Sequence, residues 1–74
     1  MEKKEWFERI TEAMETAAIT KTMESRYELS LLLLEYNEAY PMDPEKLQKT
    51  REDFGLNSAV WILAELEIQK RKGS

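Results

Sequence analysis

Acidic side chains are the residues best placed to do chemistry in this sequence, because they are numerous and recur at helical spacing. Glu8, Glu12 and Glu15 would share one side of a helix, and Glu35 and Glu38 would share one side of another. Helical di-metal sites add Glu-x-x-His pairs to such glutamates, and the chain has no histidine. A carboxyl that acts as a general acid needs an apolar pocket around it. We therefore interpret these carboxylates as a solvated surface.

The residue types that carry most covalent and metal chemistry are missing. Without cysteine or histidine the chain has no disulfides, thiolate nucleophiles, zinc fingers or imidazole bases. With only two glycines it has no glycine-rich phosphate loop. A serine or threonine nucleophile would depend on Lys21 or Lys46 as its base, and the spacing favours neither. The sequence predicts a non-enzymatic protein with no catalytic residue, no cofactor and no metal site.

Length and composition set the class of protein. The 74 residues, 42% of them hydrophobic, are enough for one small domain with a thin stability margin, for which oligomerisation is a common remedy. The longest apolar run, residues 31–34, is far shorter than the ~20 residues that span a bilayer, and the first residues lack the apolar core of a signal peptide. We expect a cytoplasmic protein without membrane contact. Gly73-Ser74 is typical of a cloning remnant.

Apolar spacing and capping signals predict an all-α fold, a single domain over 1–74 that forms a small bundle of three to four helices. The expected helices cover residues 3–18, 25–40, 44–54 and 58–71. The apolar stripe of the first helix fails after Ala18, which predicts a break before Ser25, although one long helix over 3–40 remains an alternative. Ser25 and Glu28 form a capping-box pattern for the second helix.

The third and fourth helices carry the best local signals. Asp43 is the expected N-cap of the third helix, Pro44 its first residue and Gly55 its left-handed C-terminal stop. Asn57 or Ser58 would cap the fourth helix. The third helix is otherwise polar and is expected to be a solvated connector.

Apolar residues occupy most of one side of the first helix and both sides of the second and fourth helices. The expected core arc of the first helix contains Trp6, Phe7, Ile10, Ala13, Met14, Ala17 and Ala18. Because a helix with two apolar sides is covered on both, we expect the second helix to be central.

Two double-sided helices are more than a monomer of this size can cover, which predicts a homodimer. Ala59, Ile62, Leu63 and Leu66 would then belong to the core side of the fourth helix. The predicted interface with a second copy contains Leu31, Leu34, Trp61, Ala64 and Ile68.

The leading functional hypothesis is a small acidic protein–protein interaction module of the adaptor or inhibitor type, which docks an apolar helical face onto a protein partner. One alternative is an acidic nucleic-acid mimic that inhibits a nucleic-acid-binding protein. Its acidic strip would contain Glu2, Glu5, Glu8, Glu12 and Glu15. Lys3, Lys4 and Arg9 dilute this strip.

A second alternative is a small dimeric DNA-binding regulator. Residues 47–68, a short helix, a Phe-Gly-Leu-Asn-Ser turn and a longer helix, superficially resemble the helix–turn–helix half of ribbon–helix–helix or helix-turn-helix domains. The chain begins with a helix instead of a strand, and Val60, Trp61 and Ala64 stand where a recognition helix carries polar groups, so we do not assign it to either family. The available cations are Lys46, Lys49, Arg51, Lys70, Arg71 and Lys72. A net charge of −4 does not favour nucleic acid as the partner.

Overall fold

The computed structural model of the protein describes residues 2–73, which form helices and no strand. The helices are, in order, α1 (Lys3–Thr20), α2 (Met23–Ala39), α3 (Pro44–Asp53) and α4 (Ser58–Gly73). The predicted all-α class is confirmed, and the observed boundaries differ from the expected ones by at most two residues. Met1 and Ser74 lie outside the described residues. Ser74 is part of the expected cloning remnant, which is therefore only partly described.

The chain breaks between α1 and α2 as expected, but the cap is not the predicted one. Lys21 takes a left-handed conformation with φ of 53° and ends α1. Thr22 then caps α2: its Oγ1 accepts from the Ser25 backbone N–H at 3.1 Å, while Ser25 Oγ donates to the Thr22 carbonyl at 2.9 Å. The predicted Ser25–Glu28 capping box is therefore wrong. This reciprocal Thr-x-x-Ser pair caps the helix three residues earlier, so that Met23 and Glu24 join its first turn.

The capping signals of α3 and α4 are confirmed. Asp43 Oδ1 accepts from the Glu45 N–H at 3.1 Å, Pro44 opens α3, and Gly55 has a φ of 67° just after the helix ends. Of the two expected caps of α4, Asn57 is the one observed, since its Oδ1 accepts a hydrogen bond from the Val60 N–H at 3.0 Å.

α2 lies at the centre of the domain and packs against both α1 and α4. α1 runs antiparallel to α2, because Trp6 near the start of α1 lies edge-on to Tyr36 near the end of α2, with 6.3 Å between ring centroids. The predicted central position of the second helix is confirmed.

α4 runs parallel to α2, and α3 is the connection that makes this possible. Near the start of both helices, the Arg26 side chain lies against Gly55, just before α4. Near their ends, Arg71 Nη1 of α4 donates to Glu35 Oε1 of α2 at 2.6 Å. α3 returns the chain between these two levels, and none of its residues is buried.

Two apolar clusters cover the two sides of α2. The first joins α2 to α1 and to the residues around the start of α4: Ile10, Ala17, Leu29, Leu33, Leu56 and Trp61. The second joins α2 to the middle of α4: Leu31, Ala64 and Ile68. Leu29 and Leu31, only two positions apart, thus pack against different neighbours of α2.

Candidate protein-binding site

The five residues predicted to meet a second copy lie at the contact between α2 and α4. Leu31, Trp61, Ala64 and Ile68 are buried within the single chain, and Leu34 is partly buried against both clusters. The side of α4 that the sequence assigned to a partner therefore packs inside the chain. Ala64 is fully buried, and its small side chain allows α2 and α4 to approach closely.

The opposite side of α4, assigned from the sequence to the core, is the exposed one. Ile62, Leu63 and Leu66 are 55%, 47% and 56% exposed, and Ala59 is exposed beside them. We call these four residues the outer face of α4. Their spacing of three and four residues puts them on one stripe of the helix. The sequence showed two apolar sides of α4, and the packing of Ala64 and Trp61 decided which one is covered.

A groove extends the outer face towards the start of α2. Its walls are apolar and come from α2 and α4, and its lining residues are Met23, Glu24, Tyr27, Val60, Leu63, Leu66, Glu67 and Lys70. Its volume is about 580 Å³. Met23, at the first position of α2, is 58% exposed. Because Leu63 and Leu66 belong to both, the groove and the outer face form one continuous apolar surface.

Opposite charges stand at the two ends of this groove. Glu24 lies in the first turn of α2, level with Val60 at the start of α4, whereas Lys70 lies ten residues beyond Val60. This separation corresponds to about 15 Å along the helix axis. Neither Glu24 nor Lys70 has an ion-pair partner within residues 2–73. Glu67, between them, lies 3.5 Å from Arg71 Nε, within ion-pair distance.

The carboxylates singled out from the sequence lie on the surface. The five glutamates of the expected acidic strip are exposed along α1: Glu2, Glu5, Glu8, Glu12 and Glu15. Glu35 pairs with Arg71 and Glu38 with Lys72, at the partly exposed edge between α2 and α4. Over the described residues, no group of three or more acidic side chains is arranged to hold a metal ion.

α1 carries two further exposed apolar side chains. Phe7 is 72% exposed and Ile19 is 80% exposed. The placement of Phe7 and Ala18 in the core arc is wrong, because α1 packs on α2 alone and buries only a narrow stripe. The buried residues of this stripe are Trp6, Ile10 and Ala17. Phe7 is more exposed than the residues of the outer face, but it is a single large side chain and does not line the groove between α2 and α4.

The sequence indicated apolar surface on both sides of α4 and assigned to a partner the side that packs inside the chain, so the exposed apolar side is the opposite one. The signal that could have found it was Met23, an exposed apolar residue that becomes part of the surface once Thr22 is recognised as the cap. Within the described range, no helix is both long and apolar enough to cross a membrane. Comparison of the chain with protein-family models, with curated proteins and with solved structures gives no match at any of the three levels.

Proposed function

We propose that the protein is a non-enzymatic protein–protein interaction module that docks the outer face of α4 and its groove onto another protein chain. One observation carries this proposal. Three large aliphatic side chains of α4 are about half exposed although the other side of the same helix is buried. Contiguous apolar surface of this kind is typical of interaction sites.

Burial of this surface would release a useful amount of free energy. At about 25 cal/mol per Å² of apolar area, covering the exposed half of one leucine contributes about 1 kcal/mol. Ile62, Leu63, Leu66 and Met23 together would contribute about 4 kcal/mol, before the cost of association. Because association itself costs at least about 4 kcal/mol, the apolar surface that the partner buries must add to this amount for the contact to form, and the contact is expected to be weak and reversible.

The groove supports binding better than it supports catalysis. Its polar groups are two carboxylates and one ammonium, and no hydroxyl nucleophile except the Tyr27 phenol lines it. A catalytic centre generally needs a nucleophile or an acid–base pair within hydrogen-bond reach. Glu24 and Lys70, at opposite ends of the groove, do not form such a pair.

The DNA-binding alternative has less support. Base readout by α4 would need polar side chains on its accessible side, where the outer face presents aliphatic ones. Several of the cations it would use have other partners: Arg51 stacks on Trp61, and Arg71 and Lys72 pair with glutamates of α2. For the acidic-mimic alternative, the acids of α1 are exposed, but so are Lys3, Lys4 and Arg9 among them.

A second copy of the domain is among the partners that the proposal includes. A chain of 74 residues has a thin stability margin, and oligomerisation is one way to widen it. Homodimerisation would complete the bundle by covering the side of α4 that a single chain leaves exposed.

A matched pair of variants tests the proposal. Leu66→Glu places a charge on the outer face, whereas Phe7→Glu makes the same change at an exposed aromatic residue of α1. Association would be measured by analytical ultracentrifugation of the pure protein and by capture from an extract of the source organism. We expect Leu66→Glu to abolish association, with itself or with another protein, and Phe7→Glu to preserve it. Equal behaviour of the two variants, or no association of the wild type with any chain, would overturn the proposal.

A further inference from the structure

We infer that the chain which occupies the outer face is a second copy of this protein, bound through two antiparallel α4 helices. In this dimer the two-fold axis crosses α4 between Leu63 and Leu66, and Lys70 of each copy reaches the Glu24 end of the other copy's groove. The inference rests on the proposed function, since it names the partner of the same site.

The apolar pattern of α4 suits contact with an identical antiparallel helix. A two-fold axis between Leu63 and Leu66 brings Leu63 of one copy opposite Leu66 of the other, and the reverse. The same register brings Ala59 opposite Lys70. Because Ala59 is small and exposed, it leaves room for the aliphatic stem of Lys70 to cross the partner's helix towards Glu24.

The charges at the groove ends select this direction. Glu24 and Lys70 stand about 15 Å apart along the groove, and neither has an ion-pair partner in the described chain. An antiparallel pair of copies makes each residue the counterpart of the other, which gives two identical Glu24–Lys70 contacts. A parallel pair would bring Glu24 next to Glu24 and Lys70 next to Lys70. In the antiparallel pair, therefore, the charges at the groove ends meet opposite charges and the apolar stripe of α4 meets the apolar stripe of the other copy.

The available area fits a weak dimer. α4 has 16 residues, and its length of about 24 Å with a helix-plus-groove width of about 20 Å gives on the order of 500 Å² per copy. The total of about 1,000 Å² is near the lower limit of specific interfaces. We expect a weak dimer that forms at high protein concentration and dissociates on dilution.

Charge exchange between the groove ends tests the arrangement. Sedimentation equilibrium would be recorded at low salt for the wild type, for Glu24→Lys, for Lys70→Glu and for the double variant. Each single variant turns two attractive contacts into two repulsive ones and is expected to weaken dimerisation about tenfold. The double variant restores the pairs and is expected to recover wild-type dimerisation. Glu8→Lys, with the same charge change on the outer side of α1, serves as the control and should dimerise like the wild type.

Mixing the two single variants gives the sharpest result. A heterodimer of Glu24→Lys with Lys70→Glu has two opposite-charge contacts, so it should form more tightly than either variant alone. Small effects of either substitution on helix stability do not change this result, because the heterodimer is compared with the homodimers of the same two chains. Dimerisation that is unaffected by the exchange, or no preference for the heterodimer, overturns the antiparallel arrangement.

The outcome also separates this inference from the proposed function. A wild type that stays monomeric up to about 500 µM overturns the inference. If that monomer still binds a different protein, and Leu66→Glu abolishes the binding while Phe7→Glu does not, the proposed function stands without it. If the wild type associates neither with itself nor with a different protein, both the inference and the proposed function are overturned.

Discussion

The guanidinium of Arg51 in α3 lies over the indole ring of Trp61 in α4, 4.5 Å from the ring centroid. Trp61 is buried, whereas α3 buries none of its own residues. Arg51 Nε is shielded from solvent and has no hydrogen-bond partner. A cation–π contact, with Leu47 and Phe54 packed at the edge of the core, therefore holds the connecting helix against the rest of the domain.

We expect Arg51→Ala to lower the free energy of unfolding by about 1–2 kcal/mol, since the contact lies in a partly desolvated place. Lys49→Ala, two residues away on the exposed side of α3, should change it by less than about 0.5 kcal/mol. Urea denaturation followed by circular dichroism measures both. Equal effects of the two substitutions would show that the stacking of Arg51 on Trp61 contributes nothing.

Local chemistry explains which parts of the fold could be predicted. The cap at Asp43 and the left-handed stop at Gly55 depend on a few neighbouring atoms, and their residue types report directly on the backbone they require. The start of α2 shows the limit of this approach. Thr22-x-x-Ser25 and Ser25-x-x-Glu28 are both capping patterns. The earlier pattern forms the cap in the structure, because it adds Met23 and Glu24 to the helix.

The covered side of α4 could not be predicted, for a different reason. Both sides of this helix are apolar, and periodicity alone gives them equal weight. The choice depends on long-range fit: fully buried Ala64 lets α4 approach Leu31, and Trp61 reaches the core beside Arg51. The misplacement of Phe7 has the same origin, since the width of the buried stripe on α1 depends on how many helices touch it.

Replacement of the left-handed residue between α1 and α2 should increase the stability of the protein. Lys21 has a φ of 53°, a conformation that costs an L-residue about 1 kcal/mol and glycine almost nothing. Because glycine also gains entropy in the unfolded chain, we expect Lys21→Gly to raise the free energy of unfolding by about 0.5 kcal/mol. Lys21→Ala keeps the strain and should have no such effect. Thermal and urea denaturation of the three proteins would decide, and destabilisation by Lys21→Gly would contradict the assignment of strain.

The close approach of α2 and α4 should make Ala64 intolerant of larger side chains. Ala64 is fully buried against Leu31 and Ile68, so Ala64→Met must displace one helix from the other at a cost of about 1–3 kcal/mol. Ala18→Met, at an exposed position of α1, should be nearly neutral because methionine is also a good helix former. Urea denaturation gives both values. A neutral Ala64→Met would mean that the contact between α2 and α4 is looser than described.

Thermal stability should depend on protein concentration if the outer face of α4 binds a second copy. Association that only folded chains can make stabilises them by mass action, so the melting temperature of the wild type should rise as concentration increases. Leu63→Glu puts a charge on the outer face, where Leu63 is 47% exposed in the single chain. It should therefore leave the folded monomer largely intact and make the melting temperature independent of concentration. Phe7→Glu, on α1, should keep the concentration dependence. Calorimetric scans over a hundredfold concentration range would contradict the dimer if the wild type and Leu63→Glu melt alike at every concentration, because no folded-state association would then involve this face.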